Sequence, residues 1–145
     1  MTACVLDASV AAKWLLPPAG ETLVSEARQL LRDYGDGKLE VVVPDLFWLE
    51  IGNLLRTSVR RGRMSLSSAG EALRETEQRN FPTLPSRPLL GEAFAIATAF
   101  DRTVYDAVYV ALAVASHLPL ITADERLANA LAARAPVRWL GSPWP

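Results

Sequence analysis

Residues 3–16, ACVLDASVAAKWLL, change character at a single aspartate. The apolar run before Asp7 is typical of a short buried strand, and the pattern after it is typical of a helix that ends at Pro17-Pro18. A carboxylate at the end of a buried strand is costly unless a partner compensates its charge. Asp7 therefore either caps the following helix or belongs to a functional site at the end of a strand.

The rest of the chain repeats this alternation of strand and helix. Further strands are predicted at 39–44 (LEVVVP), 81–85, 118–122 (LPLIT) and 137–140 (VRWL). Further helices are predicted at 21–34, 46–61, 88–100, 105–117 and 125–134, and another opens near 67–71. Asp45 is expected to cap the helix over 46–61, and Ser68 with Glu71 resembles a capping box. Strands separated by helical crossovers indicate an α/β fold in which helices cover both faces of a parallel sheet of about four to five strands.

Composition limits the class of protein. The chain has 145 residues, half of them hydrophobic, and no long linker, so one domain over residues 1–145 is predicted. Cys4 is the only cysteine, which excludes an internal disulfide and a cysteine-rich zinc site and favours a cytoplasmic protein. The longest apolar stretch, 107–115, is too short to span a bilayer. A net charge of -1 neither favours nor excludes a polyanionic partner.

Two further acids occupy helices in unexpected places. On an ideal helix over 46–61, Glu50 lies inside the apolar stripe, although the same helix has a solvated face where an acid would cost less. A structural reading makes Glu50 a buried acid satisfied by an arginine or a backbone donor. Asp106 lies in the first turn of an apolar helix. There its charge either interacts favourably with the helix dipole or belongs to a functional site.

Asp124 follows a predicted strand, as Asp7 does. The neighbouring Thr122 and Glu125 form a T-x-x-E pattern, and a capping box alone would account for this turn. Because the carboxyl ends of parallel strands share one edge of the sheet, we expect Asp7, Asp106 and Asp124 to meet there, with Glu50 on an adjacent helix.

Four carboxylates at one place require compensation. Two like charges about 4 Å apart repel by about 4 kcal/mol at an effective dielectric constant near 20, so either protons or metal cations must enter. With His117 as the only histidine and no second thiol, an all-oxygen site for Mg²⁺ or Mn²⁺ is expected. Such sites serve phosphoryl chemistry, which makes a metal-dependent phosphodiesterase the chemical hypothesis.

Four segments together resemble one known family. VLDASVAAKWLL, VPDLFWLEIGNLLR, TVYDAVYVALA and LPLITADERLANA are similar, in order and spacing, to the motifs of PIN-domain ribonucleases of the VapC toxin type. The resemblance runs from Val5 to about Trp139 and implies a three-layer α/β/α PIN-like domain. It implies a toxin that cleaves RNA with Mg²⁺ or Mn²⁺, is restrained by a VapB-like antitoxin and forms a homodimer. The acidic cluster of the family falls on Asp7, Glu50, Asp106 and Asp124, with Asp7 and Asp106 as principal metal ligands.

The neighbours of the acids have two readings each. Ser9 and Thr122 either hydrogen-bond a ligand carboxylate or cap helices. Asn53, one turn from Glu50, is expected to orient it. Phe47 and Trp48 either line a groove for an antitoxin or pack in the core. Four arginines lie near the end of the same helix, and they either contact RNA or simply form a solvated helix end: Arg56, Arg60, Arg61 and Arg63.

Other protein classes fit less well. A haloacid-dehalogenase-like phosphatase needs D-x-D after its first strand, and Ser9 stands at the second acidic position. A receiver-like signalling domain needs a lysine after its fifth strand, and the only lysines are Lys13 and Lys38. A non-catalytic nucleic-acid-binding module is an alternative that the sequence leaves open.

Overall fold

The computed structural model describes residues 2–143. The strands of this range are β1 (Thr2–Leu6), β2 (Leu39–Pro44), β3 (Thr83–Leu84), β4 (Leu120–Thr122) and β5 (Val137–Trp139). The helices are α1 (Ala8–Leu15), α2 (Val24–Gly35), α3 (Leu46–Arg60), α4 (Leu66–Gln78), α5 (Leu90–Phe100), α6 (Val104–Ser116) and α7 (Glu125–Leu131). A 3-10 turn at Arg87–Leu89 leads into α5. No helix of residues 2–143 is long and apolar enough to cross a membrane.

The strands form one parallel sheet in the order β3-β2-β1-β4-β5. β1 lies at its centre, paired with β2 on one side and β4 on the other. The last three residues of β1, CVL, are fully buried, as expected for a strand covered on both faces. The predicted α/β fold is therefore confirmed, and the parallel order brings the ends of β1 and β4 to the same edge. One domain over 1–145 stays a prediction.

The core lies between the sheet and the helices that cover it, and α1, α3, α6 and α7 contribute most of its helical residues. The segment of α6 from Ala107 to Ala113 is buried throughout, because this helix lacks a polar face. Phe47 is fully buried, and Trp48 stacks on Phe81 with ring centroids 6.1 Å apart. Of the two readings of Phe47 and Trp48, the structure supports packing in the core.

Several predicted boundaries are wrong by a few residues. The helix predicted at 21–34 begins at Val24, because Leu23 has a left-handed backbone with φ 60°. The strand predicted at 118–122 begins only at Leu120, since the chain leaves α6 through His117, which is also left-handed with φ 54°. The last helix ends at Leu131 rather than at 134.

Two predicted caps are also wrong. α4 begins at Leu66 with Ser65 as its cap, whose hydroxyl accepts the Ser68 N–H at 3.0 Å, so Ser68 and Glu71 form no capping box. Asp45 occupies the N-cap position of α3 but makes no capping hydrogen bond. Its carboxylate accepts hydrogen bonds from the N–H and the hydroxyl of Ser86 instead. The cap of α4 thus lies three residues earlier than predicted, and the side chain at the start of α3 is engaged elsewhere.

The turn after β5 generates a prediction about stability. A Cβ at Gly141 would overlap the six-membered ring of the partly buried Trp139. We expect Gly141→Ala to lower the free energy of unfolding by about 1–3 kcal/mol, because the indole must shift within a packed core. Thermal unfolding followed by circular dichroism measures the change. Gly91→Ala is the matched control, since a Cβ there meets nothing within 4 Å; an equal melting temperature for both variants would contradict the close packing at Gly141.

Candidate active site

A cavity of about 420 Å³ opens at the carboxyl edge of the sheet. All four acids singled out from the sequence line it: Asp7, Glu50, Asp106 and Asp124. β1 and β4 deliver Asp7 and Asp124 at their ends, α3 delivers Glu50 and α6 delivers Asp106. The structure thus brings together residues that are up to 117 positions apart in the chain (124 − 7). The rest of the wall consists of Ala8, Ser9, Ala12, Lys13, Glu21, Asn53, Leu54 and Ala123.

Asp7 is the most buried member of the site, with 8% of its surface exposed. Its N–H donates to the Ile121 carbonyl at 3.1 Å, which ties the residue to β4. One carboxylate oxygen, Oδ2, accepts hydrogen bonds from Ser9 Oγ and Thr122 Oγ1, both at 2.7 Å. Asp7 occupies the N-cap position of α1, yet its side chain makes no capping hydrogen bond. The capping reading of Asp7 therefore describes its place in the chain but not what its carboxylate does.

The two hydroxyls beside Asp7 are oriented by the loop that follows β4. Ser9 Oγ accepts the Ala123 N–H at 3.0 Å, and Thr122 Oγ1 accepts the Asp124 N–H at 3.0 Å. A hydroxyl has a single proton to donate, and in each case that proton goes to Asp7. Of the two readings of Ser9 and Thr122, the structure supports hydrogen bonding to a carboxylate of the site.

Asp124 combines a structural role with a place in the cavity. Its Oδ1 accepts the Leu127 N–H at 3.1 Å and caps α7. The capping box predicted from Thr122 and Glu125 is wrong, because the Thr122 hydroxyl is engaged by Asp7 and by the Asp124 N–H.

Glu50 has a partner that sequence reasoning missed. The Tyr109 hydroxyl donates to Glu50 Oε1 at 2.6 Å, and Tyr109 is almost fully buried on α6. The structural reading of Glu50 required an arginine or a backbone donor, and the structure supplies a phenol. A signal was present, because Tyr109 lies three residues after Asp106 on a buried helix and therefore on a neighbouring position of the same face. Asn53 lines the cavity, but no hydrogen bond in residues 2–143 joins it to Glu50.

Asp106 lies half-buried in the first turn of α6. Thr103 caps this helix by accepting the Asp106 N–H at 3.1 Å. Burial raises the pKa of Asp106 most, and the charge of Asp124 raises it further. The nearby Arg102 guanidinium opposes these effects, although its hydrogen bond goes to the Arg126 carbonyl at 2.8 Å.

Three of the four acids hold their protons more tightly than usual. Burial is the main cause of the raised pKa of Asp7 and of Glu50, and the charge of Asp106 adds to both. Hydrogen bonds from Thr122 and Ser9 to Asp7, and from Tyr109 to Glu50, oppose the rise without abolishing it. The folded chain therefore concentrates negative charge that it does not neutralise.

Apart from the influence of Arg102 on Asp106, no cationic side chain of residues 2–143 pairs with these acids. In residues 2–143 the side-chain ion pairs are Lys13–Glu21 at 2.8 Å and Lys38–Asp36 at 3.2 Å, and neither includes one of the four acids. A donor set made only of carboxylates fits a hard divalent cation. Within the same residues, no three His, Cys, Asp or Glu side chains already stand in the arrangement of a metal site.

Fold and site together define an α/β protein with a carboxylate cavity at the carboxyl edge of a parallel sheet. Residues 4–131 match the PIN domain, and the chain belongs to that family, as its four motifs predicted. It is 33% identical over 130 residues to Ribonuclease VapC1 of Mycobacterium tuberculosis, which covers 90% of this chain and 92% of the relative.

Solved structures share the fold. The crystal structure of PAE2754 from Pyrobaculum aerophilum gives a TM-score of 0.70 at 24% identity and covers 96% of this chain and 84% of that one. A toxin-antitoxin complex from Klebsiella pneumoniae gives 0.61 at 17% identity, covering 97% and 99%. VapBC2 from Rickettsia felis, bound to a DNA fragment from its promoter, gives 0.61 at 11% identity, covering 99% and 100%.

The uncompensated charge generates a prediction about stability and pH. Because the pKa of Asp106 is higher in the folded chain than in the unfolded one, the folded chain binds more protons, and stability falls as pH rises from the unfolded pKa through the folded pKa. We expect Asp106→Asn, without metal, to raise the melting temperature at pH 7–8 by about 2–5 °C, since solvent screening limits the effect to about 1 kcal/mol. The gain should shrink towards pH 4.

Calorimetry in EDTA at several pH values measures this effect. Glu40→Gln is the control, because it removes the same charge from an exposed position on β2. A lower melting temperature for Asp106→Asn at pH 8 would show that Asp106 stabilises the fold.

Proposed function

We propose that this chain is a metal-dependent endoribonuclease and the toxin of a VapBC-type toxin–antitoxin pair. The observation that carries the proposal is the group of four carboxylates that line one cavity and have no cationic hydrogen-bond partner among residues 2–143. Membership of the PIN domain family and the similarity to Ribonuclease VapC1 support the choice of RNA as substrate.

The carboxylates are proposed to hold Mg²⁺ or Mn²⁺. Asp7 and Asp106 are the principal ligands, and Glu50 and Asp124 complete the site. An ion held there would offset both the burial of these charges, which is the main cause of the raised pKa of Asp7, Glu50 and Asp106, and their mutual repulsion. When bound, it polarises the phosphate and activates a water for in-line attack on the phosphodiester bond.

The protein's own groups position these ligands. The hydroxyls of Ser9 and Thr122 both donate to Oδ2 of Asp7 and so fix the orientation of this carboxylate. Tyr109 fixes Glu50, and burial raises the pKa of Tyr109, so the phenol keeps its proton and donates it to Glu50. Protons compete with the metal, because the acids that bind it have raised pKa values. Cleavage is therefore favoured at neutral and mildly alkaline pH.

The proposed partners follow from charge and exposed apolar surface. A VapB-like antitoxin would inhibit by placing a basic side chain among the carboxylates, and the product of a small neighbouring gene should copurify with this chain and suppress cleavage. A homodimer would cover large apolar side chains that α5 and α6 expose: Leu90, Phe94, Tyr105 and Val114. A cytoplasmic location remains a proposal.

The catalytic proposal predicts how substitution of the carboxylates changes RNA cleavage. We expect Asp7→Asn and Asp106→Asn to lower Mg²⁺-dependent RNA cleavage by at least about 100-fold, since the loss of an outer partner of a metal site already costs about 10–100-fold. Wild-type products should carry 5′-phosphate and 3′-hydroxyl ends, because water rather than a ribose hydroxyl attacks. Gel assays of end-labelled RNA, with phosphatase treatment of the products, measure both.

Asp101→Asn is the matched control, because Asp101 is an exposed acid just before α6. Full cleavage by Asp7→Asn would refute the assigned site, and cyclic-phosphate ends would refute the hydrolytic mechanism. Binding of RNA by the wild-type chain without any cleavage would identify a non-catalytic module.

The dimer proposal is tested at Phe94. Its side chain is 64% exposed on α5, and we expect Phe94→Glu to convert a wild-type dimer to a monomer, because a charge cannot be buried there without a partner. Sedimentation velocity measures the mass. Leu49→Glu, at a position 76% exposed on α3, should leave the dimer intact. A monomeric wild-type chain at micromolar concentration would refute the proposal.

A further inference from the structure

A second cavity, of about 620 Å³, adjoins the candidate active site. The two cavities share Glu21 and Leu54 as wall residues, so they lie next to each other. The second cavity is different in chemistry, because it contains no member of the acidic set. Its wall consists of Leu16, Pro17, Ala19, Gly20, Glu21, Leu54, Thr57, Ser58, Arg61 and Arg63.

One face of α3 connects the two cavities. Glu50, Leu54, Thr57 and Arg61 follow one another at intervals of three or four residues and therefore lie along one side of the helix. At 1.5 Å per residue, Arg61 lies about 16 Å beyond Glu50 along the helix axis. The helix that presents Glu50 to the acids thus leads directly into the second cavity.

The two arginines of the second cavity are not paired with an acid among residues 2–143. Arg61 and Arg63 are exposed, and in residues 2–143 neither guanidinium has a hydrogen bond or an ion pair with a side chain. Glu21, the acid at the junction, is already engaged by Lys13 at 2.8 Å. Ser58 Oγ is buried in the same wall and has no partner in the described part of the chain, which is unusual for a buried hydroxyl. The wall therefore offers two free cations and an unused polar group.

The four arginines that the sequence grouped together are divided by the helix. Arg56 and Arg60 line a different cavity, of about 440 Å³ between α3 and α4, whose wall is otherwise apolar. Arg61 and Arg63 alone border the cavity that joins the acids. The pair that lines the apolar cavity therefore serves as a control for the pair that borders the second cavity.

We propose that this second cavity, defined by Thr57, Arg61 and Arg63, binds a backbone phosphate of the RNA strand beyond the bond that is cut. Arg61 and Arg63 pair with the phosphate, and the neighbouring base packs against Leu16 and Pro17. A strand with its scissile phosphate at the acids runs along α3 to reach this subsite. The inference rests on the proposed RNA cleavage and names the residues that select a strand longer than the reacting dinucleotide.

Binding is measured without cleavage in an Asp7→Asn background. Fluorescence anisotropy of a labelled 12-nucleotide single-stranded RNA in Mg²⁺ gives the dissociation constant over a series of salt concentrations. We expect Arg61→Ala with Arg63→Ala to weaken binding about 10-fold and to reduce the slope of log K against log salt by about 0.7 for each phosphate that the variant no longer neutralises. Arg56→Ala with Arg60→Ala is the matched control, and it should change binding less than about twofold.

Cleavage of RNAs of increasing length gives a second readout in the otherwise wild-type chain. We expect kcat/KM of the wild-type chain to rise with RNA length until the strand reaches the subsite. In the double variant of Arg61 and Arg63, KM for the longer RNAs should increase so that this rise disappears, while cleavage of the shortest RNA is unchanged. Melting temperatures equal to wild type exclude misfolding.

The outcomes separate the two proposals. Equal losses in both double variants would mean a general charge effect and would overturn the subsite, and so would no loss in either. If the wild-type chain cuts no RNA but its binding still depends on Arg61 and Arg63 alone, the proposed function fails and the subsite stands.

Discussion

The carboxylate of Asp7, buried at the end of the central strand, is the constraint on which the site depends. Burial disfavours its charge, and two hydroxyls hold it through one oxygen. Those hydroxyls, on Ser9 and Thr122, are in turn oriented by N–H groups of the loop after β4. The pairing of β1 with β4 therefore fixes both the position of Asp7 and the hydrogen bonds that keep it there.

Two helices complete the site from the sides of the sheet, and they are coupled. Tyr109 on α6 donates to Glu50 on α3, so each helix positions a group of the other. The same α6 carries Asp106 three residues earlier. Since α6 is buried over most of its length, its carboxylate and its phenol are held by core packing rather than by a flexible loop. The helices that carry Glu50 and Asp106 are thus held by core packing, although these acids repel one another.

This arrangement of acids lowers the stability of the metal-free fold. Acids with raised pKa values make the metal-free fold less stable as the pH rises, and a bound cation would offset that loss by binding only the folded chain. Beside this negative cavity lies the subsite of Arg61 and Arg63, and α3 joins the two. In the proposed function, RNA places its reactive phosphate at the carboxylates. A second phosphate of the same strand binds the arginines, away from the repulsion of the carboxylates.

The sequence by itself determined the parallel α/β fold and the family, and it predicted that the four acids meet, because strand and helix periodicity, strand ends and motif spacing are local properties of the chain. It misplaced the start of α2, where the left-handed Leu23 leaves no signal in the apolar pattern, and the cap of α4. Only the tertiary structure decided that Tyr109 holds Glu50, that Thr122 serves Asp7 rather than a capping box, and that four neighbouring arginines face two different cavities. Those facts depend on which helices pack together and on how each helix is rotated about its axis. The spacing of residues along the chain specifies neither the pairing nor the rotation.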